Sequence, residues 1–228
     1  DGDWDVLAGQ YFGEFSRERH VVEPFEIPKS WRRFRAMDWG YNDPCAVLWF
    51  AVSPGGRVYA YREYYERQVL PSGTARRIRQ LTGEEKIASP TASPDAWQAR
   101  GMSASGDIGG MSIAEVFAHG GVPLIRADNA RIPGWQRVRE YLSQGDDGQP
   151  NLLIFRNCEN LIRTLPALTF DEHFVEDVGS HCEDHAPEAL RYGLMSRPSA
   201  TREPKKPKAR AYDPFASGEM HADGFTRL

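Results

Sequence analysis

Four carboxylates in this chain have the residue type and setting to act on a metal ion. Asp38 ends a stretch whose preceding residues, from Phe34, are mostly apolar or aromatic. A charge there costs free energy unless it reaches solvent, a partner or a cation. Gly40, two residues on, allows close approach of backbone or ligand. Asp95 follows Pro94 at the end of a later strand-like segment, and Asp184 opens a helical one, with Glu188 one turn further on the same face. Hard divalent cations require oxygen ligands. Two of them, roughly 4 Å apart, activate a water and stabilise the leaving oxygen of a phosphodiester. Converging carboxylates raise each other's pKa, a conflict that bound cations resolve. Each acid also has a plain structural role open to it. Asp38 can start a turn, Asp95 can cap a helix, and first-turn acids such as Asp184 and Glu188 suit the helix dipole.

The elements that must position these acids are legible from local patterns. Arg33–Asp38 reads as a strand, followed by the turn-rich Trp39 to Pro44. Cys45–Val52 is a continuous apolar run suited to a central strand. Ser53 to Gly56 closes a hairpin onto a third strand, Arg57–Tyr65, giving an antiparallel meander. A helix is expected over Ser72–Leu81, a strand over Ile87–Ser93, and a Gly/Ser-rich loop over Gly101–Gly110. Ser112 and Glu115 have capping-box spacing for a helix through His119, which Gly120 and Gly121 stop. Further on, Val122–Ala127 and Leu152–Arg156 read as strands. Pro133–Leu142, Cys158–Leu168 and Asp184–Met195 read as helices, the second interrupted by Pro166. The pattern predicts a mixed α/β sheet, an antiparallel three-strand meander plus parallel strands, flanked by helices.

The 228 residues suit one domain with irregular ends, and no apolar run approaches a membrane span. Residues 1–30 read as an irregular approach with Trp4, Tyr11, Phe12, Phe15 and Phe25 as anchors. Residues 31–197 read as the domain, and 198–228 as a flexible tail rich in Pro, Lys and Arg. The chain begins at Asp1 without an initiator Met and is expected to be part of a longer protein. Three scattered cysteines fit a reducing cytoplasm. The net charge of −4 is not the footprint of a strong nucleic-acid binder, though local basic strips exist. Among them, Arg131, Arg137, Lys205 and Lys206 are the candidates for contacts to a DNA backbone, with a solvated helix face the alternative for the arginines. No Walker-type phosphate loop is present, so no ATP site is expected in this chain. The run from His181 to His185 lacks the paired spacing of a structural zinc site.

Several segments together resemble the large subunit of tailed-phage terminases. They are "FRAMDWG" (34–40), "YAYREYY" (59–65), "SPDAW" (93–97), "SIAEVFAHGGVPLIRADNARIPGWQRVREYL" (112–142) and "EDHAPEALRYGLMSRP" (183–198). The opening "GDWDVLAGQYF" (2–12) is similar to the junction that follows the packaging ATPase domain in those proteins. The resemblance implies a ribonuclease-H-like, resolvase-like fold and an endonuclease that cuts concatemeric double-stranded DNA during capsid filling. It implies two Mg²⁺ or Mn²⁺ ions, with Asp38 bridging both and Asp95 and Asp184 each completing one side. It further implies an ATPase domain on the same polypeptide, the small terminase subunit and the portal as partners, and the host cytoplasm as location.

Where such proteins often carry a second Asp in the final motif, this chain has Glu188. Its one extra methylene leaves an auxiliary ligand, a water-mediated ligand or plain helix surface open. His185 can contact the metal shell or the phosphate, or simply face solvent or cap the helix. Glu63 can reach the site or pair with Arg62 or another neighbour at the rim, and Trp97 and Trp135 can stack on nucleotides or pack in the core. Two other functions compete: a cellular Holliday-junction resolvase-like nuclease, and a docking module for portal or small subunit with weak nuclease activity.

Overall fold

The structure, a computed structural model, describes residues 9–98, 110–145 and 147–198. The Gly101–Gly110 loop, Trp4, Lys205, Lys206 and nearly all of the expected tail therefore lie outside the described residues, Gly110 excepted. Among the described residues, seven strands form one mixed sheet. In chain order they are β1 (Val21–Val22), β2 (Arg32–Asp38), β3 (Cys45–Val52), β4 (Val58–Glu66), β5 (Ile87–Ala92), β6 (Ile125–Arg126) and β7 (Leu152–Phe155). Their order across the sheet is β1-β7-β4-β3-β2-β5-β6. The β2–β3 and β3–β4 pairs are antiparallel, and β2–β5, β5–β6, β4–β7 and β1–β7 are parallel. This is the mixed sheet expected from the sequence.

The helices are α1 (Arg17–His20), α2 (Pro71–Thr82), α3 (Ile113–His119), α4 (Arg131–Leu142), α5 (Glu159–Thr164) and α6 (His185–Met195). They cover both faces of the sheet. Every residue of β3 is buried, as an uninterrupted apolar strand requires. Successive side chains alternate between faces. Phe34, Ala36, Leu48 and Phe50 thus join the core with Trp135, Leu161 and Leu190 of α4, α5 and α6. Met37, Val47 and Trp49 join the opposite core with Ile78 and Phe117 of α2 and α3. Asp38 has the parity of Phe34 and Ala36 and so belongs to the face that α6 covers.

Local chemistry explains most boundaries. The β3–β4 turn closes with Ser53 N–H on Arg57 O at 2.9 Å, and Gly56 holds φ +90°. Ser112 and Glu115 form the reciprocal capping box at the start of α3. Pro133 is the third residue of α4, where an N–H has no intrahelical acceptor anyway. Two elements are shorter than the sequence suggests. Pro123 lacks an N–H and the Val122 N–H is taken by Phe117 O, so only Ile125–Arg126 joins the sheet. Around Pro166 the chain turns from α5 into a 3₁₀ turn over Leu165–Ala167, and Cys158 becomes the helix cap.

The packed body also begins before residue 31. Tyr11, Phe12 and Phe15 are buried in the core of the α6 face. The Tyr11 N–H donates to Leu168 O at 2.7 Å, and Val21 and Val22 pair with Ile154 and Phe155. The aromatic residues read as anchors carry enough apolar area to be core. Among the described residues no helix is long and apolar enough to cross a membrane.

Helix α6 lies close on β2 and β3 because Gly193 has no side chain. A Cβ there would stand 2.6 Å from Cε2 of Phe50. Phe50 is itself fully buried and stacked on Phe34 at 4.8 Å between ring centroids. Gly193→Val is expected to cost about 2 kcal/mol through overpacking, read as a lowered urea midpoint with unchanged slope. An unchanged midpoint would show that Phe50 yields.

Candidate active site

The β2 and β5 strands run side by side in the same direction, so their C-terminal ends meet at one edge. Met37 pairs with Ala92, and Ser93 locks the two ends together. The Ser93 N–H donates to Met37 O at 2.9 Å, and its hydroxyl accepts the Trp39 N–H at 3.1 Å. Asp38 is the last residue of β2, and Asp95 sits in the 3₁₀ turn Pro94–Trp97 that follows β5. The cap of that turn is Ser93, not Asp95. Gly40 permits the tight exit from β2, since a Cβ there would fall 2.5 Å from Asp43 O.

The first turn of α6 brings the remaining groups to this edge. Asp184 occupies its N-cap position, yet its side chain makes no capping bond. His185 places Nδ1 3.0 Å from Oδ2 of Asp38. This places His185 against Asp38 rather than out in solvent. Burial pushes the Asp38 carboxyl above the usual carboxylate range, and the charges of Asp95 and Asp184 push it further. His185 opposes them by hydrogen bond and charge. Asp38 in turn raises the pKa of His185, chiefly through that bond. Two acids far away in sequence, Asp95 and Asp184, therefore act electrostatically on Asp38. Asp38 and Asp95 also act on the Tyr192 hydroxyl, whose pKa is raised first by burial.

Behind these groups lies a network of ions that local sequence patterns do not reveal. Nearly all of α6 is buried, including Glu188 at 4% exposure and Arg191 at 0%. Charges in such a helix must be paired internally. Arg191 donates through Nε and Nη2 to Oε2 of Glu188, at 2.7 and 2.5 Å. It also reaches Asn129 Oδ1 at 3.1 Å and Ala130 O at 3.4 Å. Its guanidinium lies 4.5 Å from the Tyr192 ring centroid and 5.3 Å from that of Trp135. Its stem needs the space left by Gly134, where a Cβ would come within 2.7 Å. Arg131 donates to Oε1 of Glu188 at 2.6 Å, to both oxygens of Asp177 at 2.7 and 2.9 Å, and to Asp184 at 3.5 Å.

These contacts bear on alternatives that the sequence leaves open. Both oxygens of Glu188 accept from arginines, while its carboxyl also feels the charge of Asp38. The longer side chain is used to reach the guanidiniums. Burial raises the Glu188 pKa, while Arg191 and Arg131 oppose the rise. Arg131 donates to three carboxylates while its side chain stays about a third exposed. Arg137 instead lies on an exposed face of α4, 3.1 Å from Glu140. Glu63 does not join the acids or pair with Arg62. It accepts from the backbone N–H groups of Asn160 and Leu161 at 2.9 and 2.7 Å, capping α5, while Arg62 pairs with Glu85. Trp135 is a core residue, and Trp97 is half-buried beneath the Arg126 guanidinium.

The donors suit hard divalent cations, which take carboxylate oxygens as ligands and would offset the charges that Asp95 and Asp184 exert on Asp38. Among the described residues, however, no three His, Cys, Asp or Glu side chains already form a group that could hold a metal. A cleft of about 1030 Å³ lies elsewhere, near the start of β2 and β5, lined by Lys29, Trp31, Arg32, Glu85 and Ile87 among others. It is not the site of the acids.

No family model and no curated protein matches the sequence. Solved structures do match the fold. The nuclease domain of the P22 large terminase superposes with a TM-score of 0.65 at 21% identity, over 86% of this chain and 95% of that one. The fold is that of terminase nuclease domains. It is the ribonuclease-H-like arrangement expected from the sequence. The large terminase of a thermophilic bacteriophage, solved in complex with ADP, matches with a TM-score of 0.67 at 18% identity. That match covers 83% of this chain but 45% of the ADP-bound one, so this chain spans less than half the length of that terminase. The nuclease of thermophilic phage G20c, with bound cobalt, matches over 83% of this chain and 98% of its own, with a TM-score of 0.56 at 12% identity.

Arg191→Met is expected to destabilise the chain by about 3–5 kcal/mol, since it leaves Glu188 buried with half its partners. Adding Glu188→Met should restore most of that loss, as replacement of a whole buried pair by apolar groups often does. Urea denaturation of both variants tests this, and a double variant no better than the single would refute it.

Proposed function

We propose that the chain is the nuclease domain of a phage DNA-packaging terminase, a metal-dependent endonuclease that cuts double-stranded DNA. One observation carries the proposal. Asp38, half-buried at the end of β2 and 3.0 Å from His185, is under the charges of Asp95 and Asp184 in a fold shared with terminase nuclease domains. Asp38, Asp95 and Asp184 are the residues that would hold the ions, Mg²⁺ or Mn²⁺, and the cobalt in the G20c nuclease supports a site for divalent metal. Bound there, two ions would supply Lewis acidity to the scissile phosphate and to the attacking water.

The protein's own contribution is placement and charge. The sheet presents Asp38 from a rigid strand end, between Asp95 on one side and the start of α6 on the other. His185 fixes one carboxylate oxygen of Asp38 and leaves the second for a ligand. No side chain is required as a covalent nucleophile, because a carboxylate site of this kind uses water. An ATPase domain on the same polypeptide is proposed too, supported by the ADP complex of the longer thermophilic-phage terminase. Concatemeric DNA is the proposed substrate, and the small subunit and portal are the proposed partners.

The net charge of −4 favours one second reading, a docking module for portal or small subunit with weak nuclease activity. Portal binding together with no calorimetric signal for Mn²⁺ would support it over the nuclease. On the nuclease reading, Asp38→Asn reduces metal-dependent plasmid nicking to background while circular dichroism stays that of the wild type. A fully active Asp38→Asn chain eliminates the proposed mechanism. Cutting should also fall steeply between about 50 and 200 mM salt, because DNA held through Lys and Arg contacts to its phosphates is released as added salt restores the displaced counterions. Salt-insensitive cutting contradicts that account.

A further inference from the structure

Arg131 stands at the meeting point of three acidic side chains, and its contacts are unequal. Asp177 takes its Nε through both oxygens, and Glu188 takes Nη1 at 2.6 Å. Asp184 is held only by Nη2, at 3.5 Å. The two short contacts are anchored independently. Asp177 also accepts from Trp135 Nε1 at 3.0 Å and from the Val178 N–H at 2.7 Å. Glu188 is fixed by the buried Arg191. The guanidinium further lies 5.5 Å from the Trp135 ring centroid. It is therefore tethered by Asp177 and Glu188 whether or not Asp184 is bound, so Asp184 can leave it without displacing it.

We propose that Arg131 is a built-in counter-cation of the carboxylate site, which holds Asp184 in the metal-free protein and must yield it to an arriving divalent ion. The inference rests on the metal-site reading given above. It gives the chain a means of setting its metal affinity. The charge of Arg131 opposes the ion, and the contact to Asp184 must break before that ligand is free. Arg131 is thus a positioning residue whose removal strengthens ion binding, whereas loss of a purely structural arginine would leave affinity unchanged or weaken it.

Calorimetric titration of Mn²⁺ into the wild-type, Arg131→Gln and Arg131→Lys chains tests this without reference to cutting. Arg131→Gln should bind about tenfold more tightly, the effect of removing one unit charge roughly 6 Å from a doubly charged ion in a water-like dielectric. Arg131→Lys keeps the charge and should stay close to the wild type. Equal or weaker binding by a folded Arg131→Gln chain overturns the proposal. A crystal structure of the wild type soaked with Mn²⁺ decides the matter even if that variant does not fold. Asp184 should then lie on the ion, beyond the roughly 4 Å of an ion pair from Arg131, with Asp177 and Glu188 still on the guanidinium. Arg131 still paired with Asp184 beside bound Mn²⁺ overturns it. A wild-type chain that takes up no Mn²⁺ removes the metal-site reading itself, and this proposal with it.

Discussion

A guanidinium sealed from solvent must find its hydrogen-bond acceptors inside the protein, and Arg191 finds them on two separate segments. Glu188 comes from its own helix, and Asn129 and Ala130 come from the approach to α4. Burying a charge costs several kcal/mol unless every partner is in place, so these contacts tie α6 to α4 as one unit. With its middle held by Arg191 and its later turn seated on Phe50 at Gly193, α6 has one crossing over β2 and β3. That crossing fixes where its first turn ends up, and with it the approach of His185 to Asp38.

The edge where this happens has a topological origin. On one side β2 pairs antiparallel with β3, and on the other it pairs parallel with β5. The chain leaving β2 turns back into β3, while the chain leaving β5 turns away. The C-terminal ends of such neighbours are the usual position of ligand sites in open α/β sheets. Asp38 ends β2, and Asp95 lies in the 3₁₀ turn that follows β5. The parallel pairing of β2 with β5 thus puts both acids at the same edge of the sheet.

The parts of this arrangement governed by neighbours in sequence were legible before any coordinates. The apolar run of β3, the Ser53–Gly56 turn and the Ser112–Glu115 box each depend on residues within a few positions, and all three formed as read. Asp38 was legible because a lone charge after apolar strand residues conflicts with its surroundings. The ion network was not, because its contacts other than Arg191–Glu188 join residues 46 to 62 positions apart, from α4 and the segment before it to Asp177 and α6. No local pattern shows that Glu188 faces two arginines, or that Arg131 points inward. One signal was available: Arg191 stands among apolar residues three positions after an acid on an otherwise buried helix. The same limit hid the partner of His185, Asp38, which is 147 positions away. Tyr11, Phe12 and Phe15 were seen as anchors, but their place in the core depends on Trp135 and Leu168, which sequence proximity does not reveal.

The sheet ends on both sides in strands of two residues, β1 and β6. A longer outer strand would offer a row of free amides and carbonyls onto which a neighbouring molecule could add its own backbone. Here that row is only two residues long on either flank, and on β6 it includes Arg126. Molecules crowded side by side thus have little exposed ladder to extend, and their contacts are left to side chains rather than to strand addition.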